Sequence, residues 1–322
     1  MKTFLFSHAR TALKYGLKSL NIKKGDEILI PSYICDVITH PLNDMGLSYQ
    51  FYEIDKSFQP LWYELQNLVN PMTKAIIMVN YFGNTQNINK FQTFANHNNI
   101  FLIEDNSHGY GGKFNNKLLG TFGDIGISSP RKLLNLRSGG VLYLNKPNLT
   151  IDISNLKYFK DDYFADFFNK FLKKRINTHG ELKNLFKHLF FKRPKYESQF
   201  AFKEKKINDY LIGEKSKLTL ENANLELIKN SRRTKYFKWE HFCIKNKLEP
   251  VFKKLDDDVI PWCFPTYVEN NKQAIYWFEF GWKNDVTIFS WPTLPDELNS
   301  SKGINYKRWE KLVCFSTENY LL

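Results

Sequence analysis

Cysteine is scarce in this sequence, and its four copies, Cys35, Cys243, Cys263 and Cys314, lie far apart with no C-x-x-C pair among them. That spacing supports neither a metal site nor a disulfide framework, and a reducing cytoplasm is the expected setting. Apolar runs are short as well. None approaches the roughly 20 residues that cross a bilayer. The N-terminus, MKTFLFSHARTALKYG, lacks the apolar core and small-residue cleavage site of a secretion signal and runs directly into a helical pattern. Internal repeats and low-complexity tracts are missing, as are RNA-binding signatures, zinc fingers and helix-turn-helix spacing. Acidic residues are in deficit, 33 against 46 Lys and Arg, for a formal net charge of +13. An excess of that size ordinarily points to a polyanionic partner. Its distribution argues otherwise: residues 157–206 alone carry 14 basic and 6 acidic side chains, a net of +8, and the rest is only mildly basic. Nucleic acid is therefore not the expected partner.

What is present first is an alternation of strand-like and helix-like stretches from Thr3 to about Leu144, the pattern of an α/β layer. Ala12 to Leu20 spaces its apolar residues as a helix does, and GDEILIP then gives a turn and a short strand ended by Pro31. KAIIMV (74–79) and IFLI (100–103) read as buried strands with a helix over 89–97 between them, and Gly139-Gly140 leads into VLYL. Residues 151–206 change character, interleaving Phe with Lys. Their simplest reading is an amphipathic helical pair whose aromatics pack on the main domain, beside a peripheral membrane contact or a basic rim facing a nucleotide-diphosphate substrate. The expected domains are a large one over 1–215 that includes this insert, and a small α+β one over 216–322 built around IPWCFPTYV and TIFSWPTLP.

The densest cluster of chemistry-bearing residues is Glu104-Asp105-Asn106-Ser107-His108-Gly109, directly after the apolar run IFLI. A carboxylate at the carboxyl end of a buried strand sits where α/β sheets bind ligands, although an Asp there can equally cap a helix. Lys132 follows, between a Ser-Ser-Pro turn and a Gly-Gly strand entry. A loop lysine is ordinarily a solvated charge; held over a strand-end crevice it can lose its proton.

Together these segments resemble the sugar aminotransferases of the DegT/DnrJ/EryC1/StrS type, pyridoxal 5'-phosphate (PLP) enzymes of fold type I. IEDNSHGYGG, NKLLGTFGDIG, SSPRK and SGG occur in the family's order, preceded by SHARTALKYGLKSLNIKKGDEILIPSY and TKAIIMVNYFG. The likeness is clear over residues 7–145 and weaker beyond. It implies an aspartate aminotransferase-like large domain with a mixed, mostly parallel sheet, plus a smaller α+β C-terminal domain. Lys132 matches the Schiff-base lysine that holds PLP and shuttles a proton, and Asp105 the carboxylate that keeps the pyridine nitrogen protonated. His108 matches the Gln/His position near the cofactor's phenolic oxygen or ring face. Ala9 and Arg10 fall where a helix N-terminus binds the phosphate, and a guanidinium can grip phosphate bidentately. Ser128 and Ser129 are both candidates for the phosphate-binding serine of the lysine loop. Cys35 stands where the family places an aromatic that stacks on the pyridine, with Tyr33 as the nearby alternative.

The resemblance implies transfer of an amino group from an amino acid donor, glutamate, to a nucleotide-linked keto-deoxysugar for a surface polysaccharide, by a homodimer. Two alternatives stand beside it. A sugar dehydratase of the same fold typically replaces the Schiff-base lysine by histidine, and Lys132 argues against it. A non-catalytic binding protein would use the fold as a scaffold and the basic segment to dock on a membrane or partner. The departures are Cys35, a nearly absent N-terminal arm, and a long basic insert without a family counterpart.

Overall fold

The computed structural model describes residues 1–161, 208–300 and 303–321. The helical pair expected in the basic aromatic insert falls, from residue 162 onward, outside the described residues.

The strands of the first half are β1 (Lys2–Phe6), β2 (Glu27–Pro31), β3 (Ser48–Tyr52), β4 (Thr73–Val79), β5 (Phe101–Asn106), a small hairpin of β6 (Lys113–Phe114) and β7 (Lys117–Leu118), β8 (Ile125–Ser128) and β9 (Gly140–Leu144). With β10 (Lys157–Tyr158) and β11 (Tyr210–Leu211), all but the hairpin form one sheet of order β10-β11-β1-β9-β8-β5-β4-β2-β3. The run β8-β5-β4-β2-β3 is parallel, and β9 is inserted antiparallel between β8 and β1. Such strands are covered on both faces, which is why EILIP is buried throughout and TKAIIMV at every position but Lys74. Helices α1 (Ala9–Ser19), α2 (Thr39–Asp44), α3 (Trp62–Leu68) and α4 (Ile88–His97) connect the strands. The hydrophobic spacing of α1 buries Ala12, Leu13 and Leu17, and α4 buries Ile88, Phe91, Phe94 and Ala95.

Two boundaries differ from the sequence reading in ways that matter for the site. Helix α1 begins three residues before the apolar spacing does, so Ala9 and Arg10 form its first turn. Strand β5 runs three residues past IFLI, so Glu104, Asp105 and Asn106 belong to the strand and alternate across its faces.

The second half opens with α5 (Glu214–Glu221) and the long α6 (Leu225–Lys245). A four-stranded sheet follows, β12 (Glu249–Pro250), β13 (Cys263–Tyr267), β14 (Ile288–Phe289) and β15 (Leu312–Ser316), in the order β12-β13-β15-β14 with every pair antiparallel. It is flanked by α7 (Asn271–Lys283), α8 (Asp296–Ser300) and α9 (Ile304–Lys311). The boundary expected at 215–216 falls inside α5, while the strand β11 just before it still belongs to the large sheet. Buried apolar side chains of both sheets form one connected cluster, from Phe6 and Ile30 to Phe264 and Phe315. Backbone hydrogen bonds join the two parts beside the strand ends: Trp262 N–H to Phe82 O at 2.9 Å and Asp36 N–H to Thr293 O at 2.8 Å. Among the described residues, no helix is long and apolar enough to cross a membrane, and no group of three His, Cys, Asp or Glu is placed to hold a metal.

Candidate active site

A cavity of about 500 Å³ opens at the carboxyl ends of the parallel strands. Its floor is a row of side chains from three adjacent strands, Val79, Asp105 and Ile127, which are paired in register and share one sheet face. The period of two sends Glu104 to the opposite face, where its carboxylate accepts from Asn80 Nδ2 at 2.9 Å and Phe122 N–H at 2.7 Å. Of the two adjacent carboxylates, only Asp105 therefore meets the cavity.

Asp105 Oδ1 accepts from Ser107 N–H at 2.9 Å. Burial pushes its carboxyl up from the usual range, while the bond from Ser107 and the charge of Lys132 pull the other way. Lys132 closes a single 3-10 turn, Pro130–Lys132, that follows β8. Its Nζ lies over the Trp262 ring at 4.6 Å and near the Trp291 ring at 5.5 Å. Both Lys132 and Asp105 line the cavity.

His108 is buried, not a surface histidine. Its Nδ1 accepts from Phe82 N–H at 2.9 Å, which places the ring proton of the neutral form on Nε2. Burial, and then the charge of Lys132, holds its pKa well below the ordinary value. The imidazole packs between Trp262 and Trp291, with ring centroids 4.7 and 4.5 Å away.

Across the cavity stands the N-terminus of α1, with His8, Ala9 and Arg10 on the wall. The first N–H groups of a helix have no partner within it, and they carry the positive end of its dipole. No acidic side chain occupies this first turn. Gly140 explains how it fits. A Cβ there would stand 2.1 Å from the carbonyl carbon of His8 and 2.5 Å from the nitrogen of Ala9, so the second glycine of SGG lets β9 press against the helix start. His8 Nδ1 is buried without a hydrogen-bond partner, and burial together with Arg131 and Arg10 holds its pKa at about 3. Ser129 and Arg131 complete this positive end of the cavity.

The two candidate serines are separated by the strand period. Ser129 lines the cavity, whereas Ser128 lies on the other side of β8, where its Oγ is 3.6 Å from a Cβ built on Gly120. Cys35 reaches the cavity. Tyr33 does not: its ring is fully buried against Phe58, and its hydroxyl donates to the Trp291 carbonyl. The aromatic surfaces at the cavity come instead from Trp262, Phe289, Trp291 and Trp309 of the second half, with His8 and Arg131 as further wall residues. Sequence reasoning placed PWCF and FSWP in the small α+β domain but carried no signal that they return to Lys132.

The arrangement can hold a ligand with an anionic end at α1, a protonated nitrogen at Asp105 and an electrophilic carbon at Lys132. The sequence profile of the DegT/DnrJ/EryC1/StrS aminotransferase family matches residues 5–185. The chain belongs to this family. Over 119 residues it is 38% identical to GDP-4-keto-6-deoxy-D-mannose 3-dehydratase of Escherichia coli O55:H7, a match covering 37% of this chain and 31% of that protein. Over 146 residues it is 28% identical to GDP-perosamine synthase of Escherichia coli O157:H7, covering 44% of this chain and 40% of that one. The matched stretches thus span less than half the length of these curated relatives. Among solved structures, the Helicobacter pylori aminotransferase PseC superposes with a TM-score of 0.67 at 17% identity, covering 100% of this chain and 83% of its own. The protein Spr1654 of Streptococcus pneumoniae, in its PLP form, superposes with a TM-score of 0.68 at 14% identity, covering 100% of this chain and 83% of its own. The fold is the PLP fold type I of the family, as the sequence resemblance implies.

Proposed function

We propose that this chain is a PLP-dependent sugar aminotransferase that moves an amino group from glutamate to a nucleotide-linked keto-deoxysugar. One observation carries the reading: the Lys132 amine, the Asp105 carboxylate and the N-terminus of α1 meet in a single cavity at the strand ends. The donor set fits the cofactor. Asp105 is a buried carboxylate whose charge is disfavoured without a cationic neighbour, and a protonated ring nitrogen is such a neighbour. The α1 N-terminus, Arg10 and Ser129 suit a phosphate, and His8 Nδ1 is a buried nitrogen still lacking a partner. Of the two serines in the lysine loop, Ser129 rather than Ser128 is assigned to that phosphate, because it lines the cavity.

When bound, PLP supplies an electron sink for the bond broken at the donor's Cα. Lys132 would hold the cofactor, and its amine would move the proton at that carbon. Asp105 holds the proton on the ring nitrogen. His108 presents a neutral N–H donor from a ring locked by Phe82 and two indoles. Trp262 and Trp291 exclude water beneath and beside the Lys132 amine, a shielding that Cys35, where the family places an aromatic, does not provide.

The relatives' names place their substrates among GDP- and UDP-linked sugars, and a nucleotide-linked sugar is the class assigned here. A homodimer in the cytoplasm, making amino sugars for a polysaccharide such as lipopolysaccharide, completes the reading. Four free cysteines suit that compartment. Peripheral membrane contact through the basic segment belongs to the same proposal. The dehydratase reading draws on the relative at 38% identity, and Lys132 at the position where dehydratases carry histidine speaks against it.

The test mixes purified protein with PLP, glutamate and a panel of nucleotide-linked 3-keto and 4-keto sugars. Release of 2-oxoglutarate and the mass of the sugar product are both scored. An amino sugar supports the proposal. A deoxygenated keto sugar establishes the dehydratase instead, and no turnover with any sugar overturns both.

A further inference from the structure

Arg232 is a buried cation in the middle of α6, with a side chain only 5% exposed. Its Nη2 donates to Leu133 O at 3.1 Å, and its Nη1 donates to Thr317 Oγ1 at 3.0 Å and Trp262 O at 3.3 Å. The carboxylate paired with it, Glu318, is 3.4 Å away and largely exposed. Thr317 Oγ1 lies 2.8 Å from the carbonyls of both Pro261 and Trp262. A desolvated guanidinium held mainly by neutral oxygens gains little net stability from its charge. Its planar fork, however, can bridge two chain segments at a fixed separation, a geometry that a lysine's rotatable ammonium does not enforce. The adjacent Arg233 shows the contrast: it donates to Asp256 O and Val259 O, within the second half alone.

The two carbonyls that Arg232 bridges belong to the residue after Lys132 and to Trp262, whose ring lies under the Lys132 amine. We infer that Arg232 is a positioning residue that sets the contact between the Lys132 amine and the Trp262 ring. It touches neither the cavity nor any reacting atom. It acts through the backbone on both sides of that contact. The inference deepens the proposed reaction, because the amine it positions is the one assigned to the cofactor.

The test reads the lysine in the cofactor-free protein, so that it stands apart from turnover. Reductive methylation with formaldehyde and borohydride is followed at Lys132 by peptide mass, with Lys14 as the reference site. Arg232→Lys is expected to change the Lys132 rate by about fivefold and to leave Lys14 unchanged. In a Trp262→Leu background the same exchange should change the Lys132 rate less than about twofold, because both substitutions loosen one contact. An unchanged Lys132 rate, or full additivity with Trp262→Leu, overturns the inference. If Arg232→Lys shows no cooperative melting transition, Thr317→Val replaces it, since it removes the hydroxyl that accepts from Nη1; a changed rate supports the inference and an unchanged one sinks it. PLP capture by the wild type is scored in parallel at the visible band. Its failure would overturn the proposed reaction while leaving the methylation comparison decisive for Arg232.

Discussion

The two walls of the cavity are built differently. One rises from the large sheet and carries Asp105, His108, Ser129 and Lys132 within a short stretch of chain, at or just past the ends of β5 and β8. The other descends from the second half and is aromatic, with Trp262, Phe289, Trp291 and Trp309 gathered from three separate segments. Charge chemistry demands groups whose positions do not drift, and parallel strands hydrogen-bonded on both sides supply that rigidity. Shape and water exclusion demand area, which large rings provide from loops and short strands. The polar wall should therefore govern the rate of the chemical step, and the aromatic wall the fit of substrate.

Removing the amine is the sharpest way to separate them. Lys132→Ala is expected to lower turnover by roughly 10²–10⁴-fold or more, the scale of a lost acid–base group, and to erase the visible band of lysine-bound cofactor in an absorption scan. Asp105→Asn keeps the size and removes the charge; kcat should fall by about 10²–10³-fold, on the scale of one lost electrostatic partner. The same exchange has a stability signature. Burial raises the Asp105 carboxyl in the folded protein, so folding takes up a proton between the unfolded and folded values and stability falls as pH rises through that window. The cofactor-free Asp105→Asn protein should then melt above wild type at pH 7, with the difference closing on acidification. A lower melting point at pH 7 would contradict this.

Smaller effects test the edges of the comparison. Gly140→Ala drives a methyl into the His8 backbone and should cost about 1–3 kcal/mol in denaturant unfolding, with weaker cofactor retention on dialysis. Trp291→Leu probes the aromatic wall: KM for the keto sugar should rise roughly tenfold in steady-state assays while kcat stays within about threefold. A kcat loss as large as that of Asp105→Asn would erase the distinction between the walls. Smallest is His108→Gln. The histidine is held neutral by burial, so its contribution is present above about pH 6.5 and is lost as pH falls below it. The variant should show a shallower loss of stability below that pH, measured by melting across a pH series.

The polar wall was legible in the chain because its groups are close in sequence and tied to local rules. IEDNSHG, SSPRK and SGG occur in order, and their strand and turn signals place Asp105 and Lys132 near strand ends. What sequence reading missed there was phase. It left Ser128 and Ser129 undivided and chose Asp105 over Glu104 by resemblance alone, because the face a side chain takes depends on where a strand begins and ends. The aromatic wall left no such trace. Nothing in PWCF or FSWP says that these segments pack over residue 132, more than 120 positions earlier. Tyr33, the nearest aromatic to the vacant stacking position, went instead into the core beside Phe58.

By itself, the amino-acid order determined the alternating α/β layer, the family to which the chain belongs and the identity of its amine and carboxylate, since each rests on periodicity or on contiguous motifs. Only the tertiary structure decided which serine and which indoles stand around that amine. Those choices depend on long-range packing, where the segments at β13 and β14 are brought to the strand ends by a core shared between the two sheets. No local propensity encodes such an encounter.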